Sequence, residues 1–373
     1  MKKILFLTGT RADFGKIKSL IQILESHQAF EVYVFVTGMH LQEEYGYTLI
    51  EIERCGFKNV HTFENHTHET TMDLTLAKTI EGLSSYVKTV TPDMIVVHGD
   101  RVETLAGAIV GSLNNILVAH IEGGELSGTV DELIRHSVSK LSHIHFVSNG
   151  DAKKRLLQMG EIASSVYKIG SPDIDIMFSK DLPDLEVVKK YYEIPFEAYA
   201  IVMFHPVTTE ATAIKKQAAD FVAALMEDTH NYVVIYPNND LGSQSIIDAY
   251  KSLKNNPRFR IFPSLRFEYF LTLLKNAQFI IGNSSAGIRE APYYGIPIVN
   301  IGTRQQNRAL NADIVNVDYD ENSIREALLN IDKRQVIKKT AAFGKGNSSK
   351  LFLKAMLTKD LWEINHQKQF REL

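Results

Sequence analysis

A repeated alternation constrains this chain more than any other feature. Short apolar runs of strand length stop abruptly at Gly, Ser, Asn, His or a charged residue, and apolar residues at helical spacing follow. Ile4–Leu7 stops at Thr8-Gly9, and Ile17, Leu20, Ile21 and Leu24 recur behind it. "EVYVFVTG" (Glu31–Gly38), "DMIVVHGD" (Asp93–Asp100), "ILVAHIEGG" (Ile116–Gly124) and "IHFVSN" (Ile144–Asn149) continue the pattern. These runs are continuously apolar, which suits parallel strands covered by helices on both faces. The expected class is therefore α/β, with parallel sheets.

The pattern restarts once. "AYAIVMFHP" (Ala198–Pro206), "YVVIYPNND" (Tyr232–Asp240), "FRIFPS" (Phe259–Ser264), "FIIGNSS" (Phe279–Ser285) and "IPIVNIG" (Ile296–Gly302) form a second series. Gly, Ser and Pro cluster between the two series in "KIGSPDIDIM" (Lys168–Met177). A chain of 373 residues exceeds one ordinary core. Two domains are expected, 1–170 and 171–373, with a final helix from about Asn347 that could pack on either. A net charge of −3 builds no field for nucleic acid or a membrane surface, so any anion site must be made locally. The single cysteine, Cys55, excludes an intramolecular disulfide and points to a reducing compartment. No apolar run has the length of a signal-peptide core or a membrane span, and a cytoplasmic protein is expected.

In parallel α/β sheets, ligands gather at the carboxyl ends of the strands. Here those ends carry Gly9-Thr10-Arg11, His98-Gly99-Asp100-Arg101, His120-Ile121-Glu122, His205-Pro206, Asn238-Asn239-Asp240, Ser284-Ser285 and Thr303-Arg304. The Gly9–Lys16 loop is neither a Walker A loop nor GxGxxG, because its spacing is wrong and residue 11 is Arg. It is either an anion loop, with helix amides and Arg11, or an ordinary strand-to-helix connection. Around "GNSSAGIRE", Asn283, Ser284 and Ser285 sit where a helix cap belongs, and Gly287 is expected to keep the turn open. Hydroxyls and amides there suit a diphosphate. Glu290 lies one turn on, placed for sugar hydroxyls, and Arg304 ends the next strand. A plain capped helix is the alternative.

Asp100 and Glu122 end neighbouring-looking strands, where buried carboxylates are costly unless paired. Asp131 opens a helix and could equally be a dipole carboxylate paired with Arg135; Thr129 and Glu132 form a capping box around it. Arg101 could neutralise Asp100 or bind an anion. His205 is a candidate for chemistry or a satisfied half-buried histidine. "HTFENHTHE" (His61–Glu69) reads as a loop, a solvated turn with a metal site as its alternative, and no HExxH-like spacing occurs.

Together, "GTRADFG", "HGDR", "HIEGGELSGTVDELIRHS", "FHPVTTE", "YPNND" and "GNSSAGIREAPYYGIPIVNIGTRQ" resemble the hydrolysing UDP-N-acetylglucosamine 2-epimerases of the sialic acid pathway, collinearly from Met1 to about Arg308. The resemblance implies the glycosyltransferase-B fold, with two Rossmann-like domains. It implies conversion of UDP-GlcNAc and water to N-acetylmannosamine and UDP, without a cofactor or metal, in a homodimer or homotetramer. Asp100, Glu122 and Asp131 match the essential carboxylates of such enzymes, and His205 and Asn238 match cleft residues. By the same resemblance Ser284, Ser285, Arg11, Arg101 and Arg304 would meet the diphosphate, Glu290 the ribose, and Leu265 the uracil edge. Ala12 and Gly170 would complete the UDP-binding set. "GTRAD", where non-hydrolysing relatives usually show GTRPE-like text, favours hydrolysis. A diacetamido-trideoxy UDP-sugar is the nearest alternative substrate. A non-hydrolysing epimerase, a glycosyltransferase and a sugar-nucleotide sensor are the remaining readings.

Overall fold

The computed structural model describes residues 1–66, 71–127, 130–180, 182–305, 314–331 and 342–371. Two parallel sheets carry the chain. The first holds β1 (Lys2–Thr8), β2 (Phe30–Val36), β3 (Val60–Thr62), β4 (Met94–His98), β5 (Leu117–Ile121), β6 (Ile144–Val147) and β7 (Val166–Lys168), in the order β3-β2-β1-β4-β5-β6-β7. The second holds β8 (Ala200–Met203), β9 (Tyr232–Ile235), β10 (Phe259–Phe262), β11 (Ile280–Gly282), β12 (Ile298–Ile301) and β13 (Val315–Val317), in the order β10-β9-β8-β11-β12-β13. Every pairing is parallel. The α/β class with two Rossmann-like sheets is as expected.

The chain divides into two compact units. One comprises Met1–Glu125, Asp131–Lys180 and Ala342–Leu373; the other comprises Leu126–Val130 and Asp181–Ala341. The first unit thus runs past the boundary expected at residue 170. The helix Pro172–Met177 packs on the helices Arg11–Glu25 and Ser348–Met356, so the Gly-Ser-Pro cluster is a turn inside a unit rather than a linker. The tail is not one helix. Ser348–Met356 is followed by a single turn, Lys359–Trp362, and then by irregular chain. Its placement is decided by aromatic packing: Phe352 meets Phe146 at 4.7 Å and Phe6 at 6.5 Å between ring centroids, so it joins the first core.

Each sheet has its own apolar core, and each order reverses once beside its first strand. In the first unit the reversal falls between β1 and β4; in the second it falls between β8 and β11. Chain leaving these paired strands diverges to opposite faces, which leaves room for a ligand at their carboxyl ends.

Candidate functional site

In the first unit, β4 and β5 run side by side, with His98 opposite Ile121. Asp100 lies two residues beyond β4 and Glu122 one beyond β5, so two carboxylates emerge from neighbouring strand ends. Asp100 takes an ion pair from Arg135, which is 2% exposed and also reaches the Glu125 carbonyl at 3.4 Å. Helical i+4 spacing points Arg135 at Asp131; the fold brings it to Asp100, 35 positions before it. Arg101 lies 3.8 Å from Glu103 and stands at the N-cap position of the helix Val102–Leu113 without a side-chain cap hydrogen bond. Glu122 is 4% exposed. Its Oε2 lies 3.2 Å from His98 Nε2, and its Oε1 accepts from the Ser171 hydroxyl. Its φ of 65° is left-handed, a strained setting for a residue with a Cβ. Asp131 lies in the first turn of the helix Val130–Leu141, half-buried. Thr129, the first member of the expected capping box, lies outside the described residues.

The Gly9 loop is a strand-to-helix connection of a particular kind. Thr10 caps the helix Arg11–Glu25, and Asp13 completes a capping box. The Asp13 carboxylate accepts from the Gly9 amide at 3.0 Å, the Thr10 amide at 3.3 Å and the Thr8 hydroxyl. The Gly9 and Thr10 amides, just before the helix, are therefore engaged by the protein itself. Burial pushes the Asp13 carboxyl above its ordinary value. His40 bonds Thr8 Oγ1 at 3.0 Å and Thr48 at 2.7 Å, and burial drives its pKa down to about 3, so it stays neutral. Arg11 is the first helical residue, 3.8 Å from Glu51, and Ala12 beside it is exposed. Gly170 follows β7 in a left-handed turn and bonds the Val147 carbonyl.

In the second unit the strand reversal is closed by hydrogen bonds. The His205 amide donates to Asn283 Oδ1 at 2.7 Å, and Asn283 Nδ2 donates back to the His205 carbonyl at 2.8 Å. The chain beyond β8 is thus tied to the chain beyond β11. The Asn238 amide, beyond β9, donates to His205 Nδ1 at 3.1 Å, which leaves the proton of a neutral ring on Nε2. Ser284, not Asn283, is the cap of the helix Ser285–Arg289, its hydroxyl accepting from the Ala286 amide at 3.3 Å. The Asn283 carbonyl collects Gln305 Nε2 at 2.7 Å and Arg304 Nη1 at 3.4 Å. Arg304 is therefore beside the Ser284 turn, as its strand-end position suggested. Glu290 closes that short helix and is 3% exposed. Gly287 does not open a turn: a Cβ there would stand 3.3 Å from Ile298, so it lets the helix approach the sheet. Leu265 is buried in the connection after β10, beside Arg266, which stacks on Tyr191 and Tyr269.

His98, Ser171 and Gln305 are residues that sequence reading left without a role, and Asn283, offered as a helix cap, instead ties the strand ends together. His61, read as loop, is in β3 and stacks on Tyr86 at 4.2 Å; residues 67–70 of that stretch lie outside the described ones. No helix among the described residues is long and apolar enough to cross a membrane.

Residues 22–357 match the family model of UDP-N-acetylglucosamine 2-epimerase. The chain is 47% identical to a UDP-N-acetylglucosamine 2-epimerase of Neisseria meningitidis serogroup B, over the full length of both. It is 33% identical to a hydrolysing UDP-N,N'-diacetylbacillosamine 2-epimerase of Legionella pneumophila, over 94% of each chain. Among solved structures, the UDP-GlcNAc 2-epimerase of Methanocaldococcus jannaschii, in complex with UDP-GlcNAc and UDP, superimposes with a TM-score of 0.82 at 20% identity, over 95% of this chain and 99% of that one. The fold is of the glycosyltransferase-B type, and the chain belongs to the UDP-N-acetylglucosamine 2-epimerase family.

Proposed function

We propose that this protein is a hydrolysing epimerase, converting UDP-GlcNAc and water to N-acetylmannosamine and UDP. The observation that carries the reading is the carboxylate pair, Asp100 and Glu122, on neighbouring strand ends, each held by a different buried partner. Inversion at C2 requires removal of a weakly acidic C–H proton and its return on the opposite face. A base takes that proton as the C1–O bond to UDP breaks, giving 2-acetamidoglucal. An acid then protonates C2 from the other face, and water adds at C1. Two acid–base groups and cations for the leaving diphosphate are needed. Asp100, Glu122 and Asp131 supply the first, with His205 as a further proton-bearing group. Ser284, Ser285, Arg304, Arg11 and Arg101 supply the second. Glu290 takes the ribose, Leu265 the uracil edge, Asn238, Ala12 and Gly170 line the nucleotide sugar.

Incubation with UDP-GlcNAc, followed by NMR, tests the reading: UDP and free N-acetylmannosamine should rise together. UDP-ManNAc as product, or no UDP, would refute it. A UDP-diacetamido-trideoxy sugar is the second reading, favoured by the Legionella relative's match over nearly the whole chain. Faster UDP release from that sugar than from UDP-GlcNAc would establish it. The enzyme is proposed to act in the cytoplasm as a homo-oligomer, which light scattering would measure directly.

A further inference from the structure

One buried histidine meets the chain beside both carboxylates, at Gly99 before Asp100 and at Gly123 after Glu122. His120, in β5, is fully buried. Its Nε2 lies 2.8 Å from the Gly99 carbonyl oxygen and its Nδ1 lies 3.1 Å from the Ser139 hydroxyl. A carbonyl only accepts, so Nε2 carries the proton and Nδ1 accepts from Ser139. Burial lowers the imidazole pKa to about 3, which keeps this neutral tautomer throughout the working range.

The two bonds bear on both strand ends. The Gly99 amide donates to the Ile121 carbonyl at 3.0 Å, so with His120 both polar groups of Gly99 are tied to β5. Gly99 sits at φ 76°, and the next residue is Asp100. On the other side, a Cβ on Gly123 would fall 2.8 Å from His120 Nδ1 and 2.8 Å from Ser139 Oγ. The bare backbone of Gly123 is thus packed against the imidazole–hydroxyl pair, directly after the strained Glu122. Ser139 belongs to the same helix as Arg135, the partner of Asp100.

We propose that His120 is a positioning residue of the reaction: through the Gly99 carbonyl and the Gly123 backbone, with Ser139 selecting its tautomer, it sets the turns that present Asp100 and Glu122. The proposal rests on the catalytic roles argued above for those two carboxylates. A Gln side chain places an amide nitrogen where His Nε2 stands; an Asn side chain places one only at the Nδ1 position. His120→Gln should therefore keep kcat close to wild type, whereas His120→Asn should lose about 100-fold in kcat with KM unchanged, the scale of a small misplacement of reacting groups. Ser139→Ala should lower kcat in the same KM-neutral way. Equal kcat in the Gln and Asn variants, or a loss carried in KM, would overturn the proposal. Nitrogen-15 NMR of the wild-type imidazole keeps it testable if a variant fails to fold. The expected spectrum is an Nε2–H tautomer unchanged between about pH 5 and pH 8, and an Nδ1–H tautomer or a titrating ring would overturn it. If the wild type releases no UDP from either sugar nucleotide, the activity reading fails. The NMR result still decides whether His120 holds Gly99.

Discussion

At the scale of single residues, the chemistry turns on which buried groups are paired with which. Asp100→Asn should lower kcat by about a thousandfold, within the span of general acid–base contributions, while UDP still binds. UDP release and isothermal titration check the two halves of that statement, and lost UDP binding would contradict the assignment. Backbone demands are equally local. Gly282 has φ 134°, and a Cβ there would stand 2.0 Å from the Met203 carbonyl oxygen. Gly282→Ala should destabilise the fold by roughly 3 kcal/mol, read by denaturant unfolding. Asp100 and Glu122 could be picked out from the sequence because a carboxylate that ends a buried strand needs a reason. Their partners could not. Arg135 sits four residues from Asp131, and only the folded chain hands it to Asp100.

Elements carry the next level. The short helix Ser285–Arg289 places the Ser284 hydroxyl and the Arg304 guanidinium around one turn. Ser284→Ala should cost about 1 kcal/mol of stability as a lost cap. It should also weaken UDP binding roughly tenfold, the scale of one charge-assisted hydrogen bond. A full cap penalty with unchanged UDP affinity would leave Ser284 structural. The tail makes a second element-scale case. Glu161 accepts from Lys140 at 2.8 Å, His145 at 2.9 Å and Lys368 at 2.6 Å, and Lys368 also donates to the Ser142 carbonyl at 2.6 Å. Despite desolvation by burial, these partners hold the Glu161 carboxyl down from 4.5 to about 2. A depressed carboxylate stabilises the folded state above its unfolded pKa and loses that contribution as pH falls through the folded one. The Tm gap between wild type and Glu161→Gln should therefore narrow from pH 4.5 down to about 2. A gap constant across that range would contradict the cluster's role.

For the whole molecule, two units with separate cores give UDP and acid different targets. UDP alone should slow hydrogen exchange at residues 283–290 of the second unit. Acid approaching pH 2 should loosen the segment 365–371, which is held by the Glu161 cluster and by His143 donating to the His366 carbonyl. Exchange mass spectrometry reads both, and protection by UDP at the Glu161 cluster with none at residues 283–290 would go against the assignment of the nucleotide site.

The sequence by itself determined the two parallel sheets, the strand ends that bear polar groups, and the long motifs around Arg11, Asp100, Glu122 and Ser284. These follow from periodicity and punctuation, which are local and written in consecutive residues. Only the tertiary structure decided that the Asp13 carboxylate occupies the Gly9 and Thr10 amides, and that Asn283 locks His205 across the strand reversal. It likewise decided that Phe352 returns the tail to the first core and that His120 meets the backbone of Gly99 and Gly123. Those pairings join residues far apart in the chain. Their energies depend on burial and direction, which no run of neighbouring residues specifies.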